Sequence, residues 1–467
     1  MIKKIRDIVG NQLLFTCVAL VVFLLDTILY VHDYTGPLLK LFIVWGALVI
    51  GLDLLGNRAL WKTSTLKWLL LFCAAYLVTT MTNSPNYVGE NLKILSYMVI
   101  FFIVLYGHNR DKAMHEWKKE VRTVMLTFFL MATILACICF VTFVFSINRE
   151  VTTADGQMYI GMCDNRLWGV YNPNAGACIN VIAILCAIGL WVSTKNKCAY
   201  KKVFLIISMI VHYLCLLLTS SRASLYAFIL CLGGLVFLFL NARDQLKSVT
   251  PIKWILKNVL LTVIVIVALY AVETPVKWVI SYIPGGVNRV LSKNDSEEGI
   301  HQIELTRKEE LENRDGGILT GRTYIWKAGL SALKESPLFG VSKAATYDCA
   351  KDYVEDEQWL EHMEVSLHNV FITVLVASGW VGLALFLVFL FKNLLPMIRV
   401  ALLKHGGDNY KLYISCMMIV ACLLIIELVE ARIIYRTEVF NVVFWTICGF
   451  AYNYVEIVNK GEANGTT

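Results

Sequence analysis

Three polar residues stand out in a chain built mostly of apolar runs. Arg222 sits in Thr219-Ser220-Ser221-Arg222-Ala223-Ser224, Arg322 in Gly321-Arg322-Thr323-Tyr324-Ile325-Trp326, and His368 in Leu367-His368-Asn369. A guanidinium flanked by hydroxyls, as Arg222 is by Ser221 and Ser224, suits a phosphate or diphosphate, because its planar fork donates paired N–H bonds and the hydroxyls add donors. An imidazole titrates near neutral pH and can take a proton from a hydroxyl. Each residue also has a plainer role: Arg222 as a cation snorkelling at a helix end, Arg322 as a solvated surface arginine, His368 as a polar residue at a membrane boundary. Glu427, Glu430, Arg432 and Arg436 form a second polar group; an acidic residue within an apolar run is a functional candidate, and internal ion pairing accounts for the four equally well.

The elements that must position these residues follow from composition. Of 467 residues 58% are hydrophobic and 16% charged, against roughly 25% charged in soluble domains. Apolar runs near 20 residues recur at about 13–31, 38–55, 66–82, 92–107, 123–147, 174–193, 202–219, 223–240, 255–272, 369–391, 411–430 and 437–456. Such runs are too long for barrel strands, and in lipid each must satisfy its own backbone, so the fold class is an all-α polytopic membrane protein of about twelve transmembrane helices. The first run is long enough to span and no small-residue cleavage site follows it, so it reads as a span and not as a cleaved signal. Nine spans occupy 1–272, a polar insert 273–368, three further spans 369–456 and a tail 457–467.

Charge sets the orientation. The stretch Glu273–Asn369 holds 17 acidic and 11 basic residues, a net −6 in a chain of +7. Outside it, one set of short connections carries 24 Lys or Arg (the first at Lys3, the last at Lys460) and the opposite set 7, namely Lys40, Lys93, Arg149, Arg166, Arg222, Arg432 and Arg436. The positive-inside bias puts both termini in the cytoplasm and the insert outside, with 148–173, 220–222 and 431–436. The basic residues are spread over loops, not gathered in a patch, so nucleic acid is not an expected partner. Of the 14 cysteines most lie in apolar runs as small hydrophobes, none has metal-type spacing, and Cys163 and Cys349 fall outside the membrane where a disulfide is conceivable.

Within the insert, Trp278, Ile280, Tyr282 and Ile283 before Pro284-Gly285-Gly286 suggest an interfacial helix. Thr306-Arg307-Lys308-Glu309 has the capping-box pattern of a short charged helix. Thr320 can cap a helix from about Gly321 to Lys334 that ends at Ser336-Pro337, with Arg322 and Trp326 four apart on neighbouring faces.

The Ser-Arg-Ala-Ser turn, Gly169-Val170-Tyr171-Asn172-Pro173-Asn174, Gly321-Arg322 with Trp326, Pro337-Leu338-Phe339-Gly340, and His368-Asn369 followed by Gly379-Trp380-Val381-Gly382 resemble, in residues and in order, the O-antigen ligase and polysaccharide polymerase (Wzy) family. The likeness is most specific from Gly169 to about Phe389. Ser342 departs from it, standing where the family often has a second glycine after the Pro-Leu-Phe-Gly turn.

The resemblance implies a C-type (GT-C-like) membrane glycosyltransferase in the bacterial cytoplasmic membrane, acting on its outer face on oligosaccharide carried by undecaprenyl diphosphate. It implies Arg222 and Arg322 on the donor diphosphate and His368 as general base. Ser221, Ser224, Trp326, Asn369, Asn172, Asn174, Arg432 and Arg436 are the substrate-binding candidates. Inversion is expected, with no cofactor and no metal, since arginines can stabilise a diphosphate leaving group and no outward Asp-x-Asp pair occurs; Glu355-Asp356-Glu357 is the nearest substitute. Expected partners besides membrane lipid are a chain-length regulator and a flippase of the same pathway. Polymerase is favoured over ligase. A transporter is the competing class, with Asp26 and Asp53 as its residues, but no related halves or paired broken spans support it.

Overall fold

In the computed structural model, each of the twelve apolar runs is a helix. Described are residues 2–109, 111–153, 156–194, 199–245, 251–292, 301–306, 322–354, 360, 363, 366–403 and 407–463. The capping-box residues 307–309, Thr320 and the triplet Glu355-Asp356-Glu357 lie outside them. The helices are α1 (Ile2–Val9), α2 (Gln12–Asp26), α3 (His32–Leu55), α4 (Leu66–Asn83), α5 (Val88–Ile100, prolonged by the π-helical Phe101–Tyr106), α6 (Met114–Val144), α7 (Pro173–Ser193) and α8 (Ala199–Leu218). There follow α9 (Arg222–Gln245), α10 (Pro251–Ile280), α11 (Ile283–Ser292), α12 (Arg322–Ala332), α13 (Thr346–Ala350), α14 (Val370–Leu403), α15 (Gly407–Ile426) and α16 (Val439–Ala463). Among the described residues 10 helices are long and apolar enough to cross a membrane. The first apolar run is shorter than its hydropathy suggests: α2 stops at Asp26, whose carboxylate accepts from the Thr35 hydroxyl and faces His32 Nδ1 at 3.1 Å.

The bundle's centre is α7. Its sequence is apolar on every side, with Ala175, Gly176, Ala177, Ala183, Ala187 and Gly189 letting neighbours approach closely, and it packs against α6, α8 and α15. Its start is locally encoded: Asn172 caps the N–H of Asn174 at 3.0 Å and Pro173 occupies the first turn. By contrast α3 and α10 expose most of their surface and lie at the periphery.

Loops alternate between two ends. At the Lys/Arg-rich end Asp111 pairs with Lys62 at 3.6 Å and Lys460 at 2.7 Å, tying two connections to the end of α16. At the other end Val170 accepts from Leu29 N–H, Ser281 from Ile303 N–H and Glu427 from Val370 N–H through backbone carbonyls. The contacts at each end thus join segments that the charge reading places in the same group.

Two local outcomes differ from the sequence reading. The connection 149–169 holds a three-stranded antiparallel sheet, β1 (Arg149–Thr153), β2 (Gly156–Cys163) and β3 (Arg166–Gly169). Asp164 and Asn165, with φ of 49° and 61°, make the two-residue turn that pairs Cys163 with Arg166. Nor does Pro284 end an interfacial helix: residues 278–280 complete α10, and Pro284 lies in the first turn of α11, where its missing N–H costs nothing. Cys163 and Cys349 carry separate thiols.

The family-like motifs at 337–342 and 379–382 are two halves of one interlock. Gly379, at φ 63° and ψ −171°, breaks α14. The groups it releases are taken by the other segment: Trp380 N–H donates to Pro337 O at 3.0 Å, Val381 N–H to Leu338 O at 3.1 Å, while Val341 and Ser342 N–H donate to Val376 and Ala377 O at 2.9 and 3.1 Å. Broken helix is tolerated at such depth because protein satisfies the backbone. A Cβ on Gly379 would lie 2.2 Å from Leu338 O and one on Gly340 2.4 Å from Val376 O, so both glycines are required by contact as well as by φ. Ser342 itself adopts φ 72°, the conformation a glycine would supply, and is held there by Asn91 Nδ2 on its Oγ at 2.9 Å.

Candidate functional site

At the end of the bundle that carries α12, one carboxylate gathers residues from three distant parts of the chain and a near neighbour. The helix α15 stops at Ile426, so Glu427 and Glu430 lie in the irregular segment before α16 and not within a span. Glu430, 5% exposed, accepts from Arg322 at 3.2 Å and Asn174 Nδ2 at 3.3 Å on Oε1. On Oε2 it meets His368 Nδ1 at 3.2 Å and Arg432 Nε at 3.7 Å. Burial alone would push this carboxyl up, but Arg432, His368 and Arg322 hold it well below the usual carboxylate range. A carboxylate only accepts, so Nδ1 of His368 carries its proton and Nε2 of a neutral ring is the acceptor.

Each partner is placed by local structure. Arg322 opens α12, and Trp326 one turn on donates from Nε1 to Leu367 O at 2.9 Å, tying α12 to the His368 segment. His368 has φ 49° and is held by Ser366 Oγ on its N–H at 3.0 Å; a left-handed non-glycine residue stores strain that its surroundings must maintain. Asn369 caps α14 through Phe371 and Ile372 N–H and donates to Leu428 O at 2.8 Å, which fixes His368 against the Glu430 segment. Arg432 donates to Glu438 at 3.0 Å and stacks over Phe440 at 5.2 Å, and Arg436 meets Glu438 at 2.6 Å. Glu427 accepts from Arg432 and Ile433 N–H, yet burial pushes its carboxyl up to about 8.

Arg222 lies elsewhere. With Ser221, whose Oγ is 3.4 Å from that of Ser224, it lines a cleft of about 470 Å³ shared with Tyr226, Glu273, Lys277 and Trp278. The structure thus brings Arg322, His368, Asn174 and Arg432 together on Glu430 and leaves Arg222 and Ser221 in another cleft, with Ser224 buried beside Ser221. Arg166 joins the two: its Nε donates to Thr219 O at 2.9 Å, three residues before Arg222, and its Nη2 to Asn174 Oδ1 at 2.8 Å. Arg436 and Arg432 open instead onto a cleft of about 740 Å³ that also holds Asn172, Lys93 and Lys343, whose ammonium burial, with Arg436 adding, pushes down to about 8.

Arg166 and Glu438 escaped sequence reasoning. Arg166 looked like one of seven scattered outer cations; its two-residue hairpin was the available signal. Around the cluster Arg322 and Arg432 face Glu430, Arg432 and Arg436 face Glu438, and Arg166 reaches Asn174, a surplus of positive charge among the described residues. Such an arrangement can bind an anion and, beside it, accept a proton at His368 Nε2. Asp26 and Asp53 are engaged within the bundle, Asp53 by Ala59 and Leu60 N–H at 3.1 and 3.3 Å.

A bundle of membrane-length helices with a buried arginine–carboxylate–histidine cluster at one mouth is a polytopic membrane protein. Residues 204–387, less than half of the chain, match the model of the O-antigen ligase family, a family of membrane enzymes of glycan transfer. A 73-residue stretch is 38% identical to the exopolysaccharide production protein ExoQ of Rhizobium meliloti (strain 1021), covering 14% of this chain and 16% of that protein. The family match contains Arg222, Arg322 and His368 and ends before Glu430, Arg432 and Arg436.

Proposed function

We propose that this chain is a Wzy-type polysaccharide polymerase, transferring oligosaccharide from undecaprenyl diphosphate to a growing glycan on the outer face of the bacterial cytoplasmic membrane. The observation that carries the reading is the Glu430 hub, which joins a proton acceptor to an anion-binding arginine set. In the reaction an acceptor hydroxyl gives its proton to His368 Nε2 as its oxygen attacks the anomeric carbon. The bond from that carbon to the diphosphate oxygen breaks, and the diphosphate leaves with the electron pair. Arg322 and Arg222 stabilise the charge that develops, the task a divalent ion performs in other enzymes. A single displacement inverts the anomeric centre. Glu430 holds the imidazole in the accepting tautomer, while Trp326 and Asn369 position it.

The orientation rests on the Lys/Arg bias of the short connections. Polymerase is favoured over ligase because one relative is named an exopolysaccharide production protein, and making a polysaccharide requires joining repeat units. A chain-length regulator and a flippase of the same pathway are the proposed partners. The test is the glycan profile of cells carrying Arg322→Ala or His368→Ala at normal protein level. Single repeat units on the carrier or acceptor, with long chains missing, are expected. Long chains left on the carrier would instead mean a ligase, and units retained on the cytoplasmic face a transporter.

A further inference from the structure

The opposite, Lys/Arg-rich end of the bundle holds a cleft of about 620 Å³ between α6, α7 and α8. Its rim carries Lys119, Arg122, Lys201 and Lys202, and none of its described lining residues is acidic. The nearby Glu120 does not neutralise them, since Lys112 holds it at 2.7 Å. Arg122 is fixed in place: Nη1 donates to Ser193 O at 2.9 Å and Nη2 to Thr194 Oγ1 at 3.1 Å, at the end of α7. Lys202 lies 5.6 Å from the Trp191 ring and Lys201 6.0 Å from that of Tyr200, aromatic side chains of the kind that sit at a membrane's headgroup level.

Below this rim the cleft changes character. Leu126 and Phe204 form apolar walls that are 44% and 46% exposed, with Phe129 packed edge-on against Phe204 at 5.9 Å behind them. The same faces continue along α6 as Leu130 and Ile134 and along α8 as Ile207, all exposed. A cationic mouth over an apolar groove facing hydrocarbon matches one amphiphile, with an anionic head and extended chains. A soluble anion would use the mouth and leave the groove without purpose.

We propose that this cleft binds an anionic phospholipid, its phosphate among Lys119, Arg122, Lys201 and Lys202 and an acyl chain along the α6–α8 groove. The site is separate from the Glu430 cluster and from the transfer reaction. Basic pockets between spans commonly take such headgroups, each cation near the surface strengthening binding by a similar increment.

The test is a native mass spectrometry titration of the purified full chain with phosphatidylglycerol and, separately, phosphatidylcholine. Phosphatidylglycerol should bind at least tenfold more tightly, and K201Q/K202Q should weaken it by about 30-fold while leaving phosphatidylcholine unchanged. K119Q/K202Q, which also changes only exposed side chains, should weaken it similarly and guards against a folding defect in the first variant. Equal affinity for the two lipids, or unchanged phosphatidylglycerol binding in both variants, would overturn the assignment. So would displacement of the lipid by an equal concentration of inorganic phosphate, which would mean that the cations hold a free anion and the groove is incidental.

Discussion

Replacing Glu430 with Gln changes one atom and should disable the site. The carboxylate receives Arg322 and Asn174 on one oxygen and His368 with Arg432 on the other, so an amide can serve only one side. If its oxygen keeps Arg322, its NH2 confronts His368 Nδ1, which must then become the acceptor and move the ring proton to Nε2, the atom assigned to proton uptake. If its oxygen keeps His368, the NH2 opposes the guanidinium and the Asn174 amide. Removing one partner of a buried ion pair costs about 3–5 kcal/mol. Chain extension should fall by on the order of 100-fold or more, as for loss of a transition-state contact to charge. Because Glu430 is held well below its ordinary value of 4.5, its contribution to stability is complete above that pH and is lost as pH falls toward the depressed folded value. The difference in melting temperature between wild type and Glu430→Gln should therefore be constant from about pH 5 to 8 and shrink below about 4.5. The assays are thermal unfolding in detergent across that pH range and polymer length from lipid-linked donor. A variant that melts like wild type at pH 7 and extends chains within twofold of it would refute the hub.

Arg222→Lys and Arg322→Lys should each lose on the order of 100-fold to 1,000-fold in extension rate at normal membrane abundance, because an ammonium cannot reproduce a guanidinium's paired donors; rates above that range would remove phosphate contact as their role. Purified enzyme should keep its activity after thorough chelation of divalent cations, and activity restored only by added Mg²⁺ or Mn²⁺ would transfer the leaving-group role to an acidic site. Single cysteines at 158 and 310 should label from outside the cell and those at 115 and 405 only after permeabilisation; the reverse pattern would invert the topology. Gly379→Ala should lower the melting temperature sharply, since its Cβ would lie 2.2 Å from Leu338 O on a backbone with φ 63°, and unaltered melting would deny the 337–342 interlock.

The spans and their alternation were legible in the sequence because a chain in lipid must satisfy its backbone within each segment, which makes hydropathy a local property. Helix starts with their own signals were legible too, as at Asn172-Pro173 and near Gly321-Arg322. Ends were less so: hydropathy carried the first run past Asp26 and the eleventh as far as Glu430, because it does not register that Thr35, His32 and Arg432 supply partners to carboxylates that lie at or beyond the helix end. The type of residue at the site was also readable, since Arg322 and His368 bear chemistry wherever they stand. Which residues meet was decided only in three dimensions. Asn174, Arg322, His368 and Glu430 share no local pattern, and their convergence depends on the packing of α7 and on α12 docking through Trp326. Likewise Gly379 reads as an ordinary helical glycine until 337–342 folds against it, and Ser342 reads as a missing glycine until Asn91 holds it at positive φ. Contacts between residues so far apart depend on how helices pack side by side, and that packing is a property of the assembled bundle, not of any one segment.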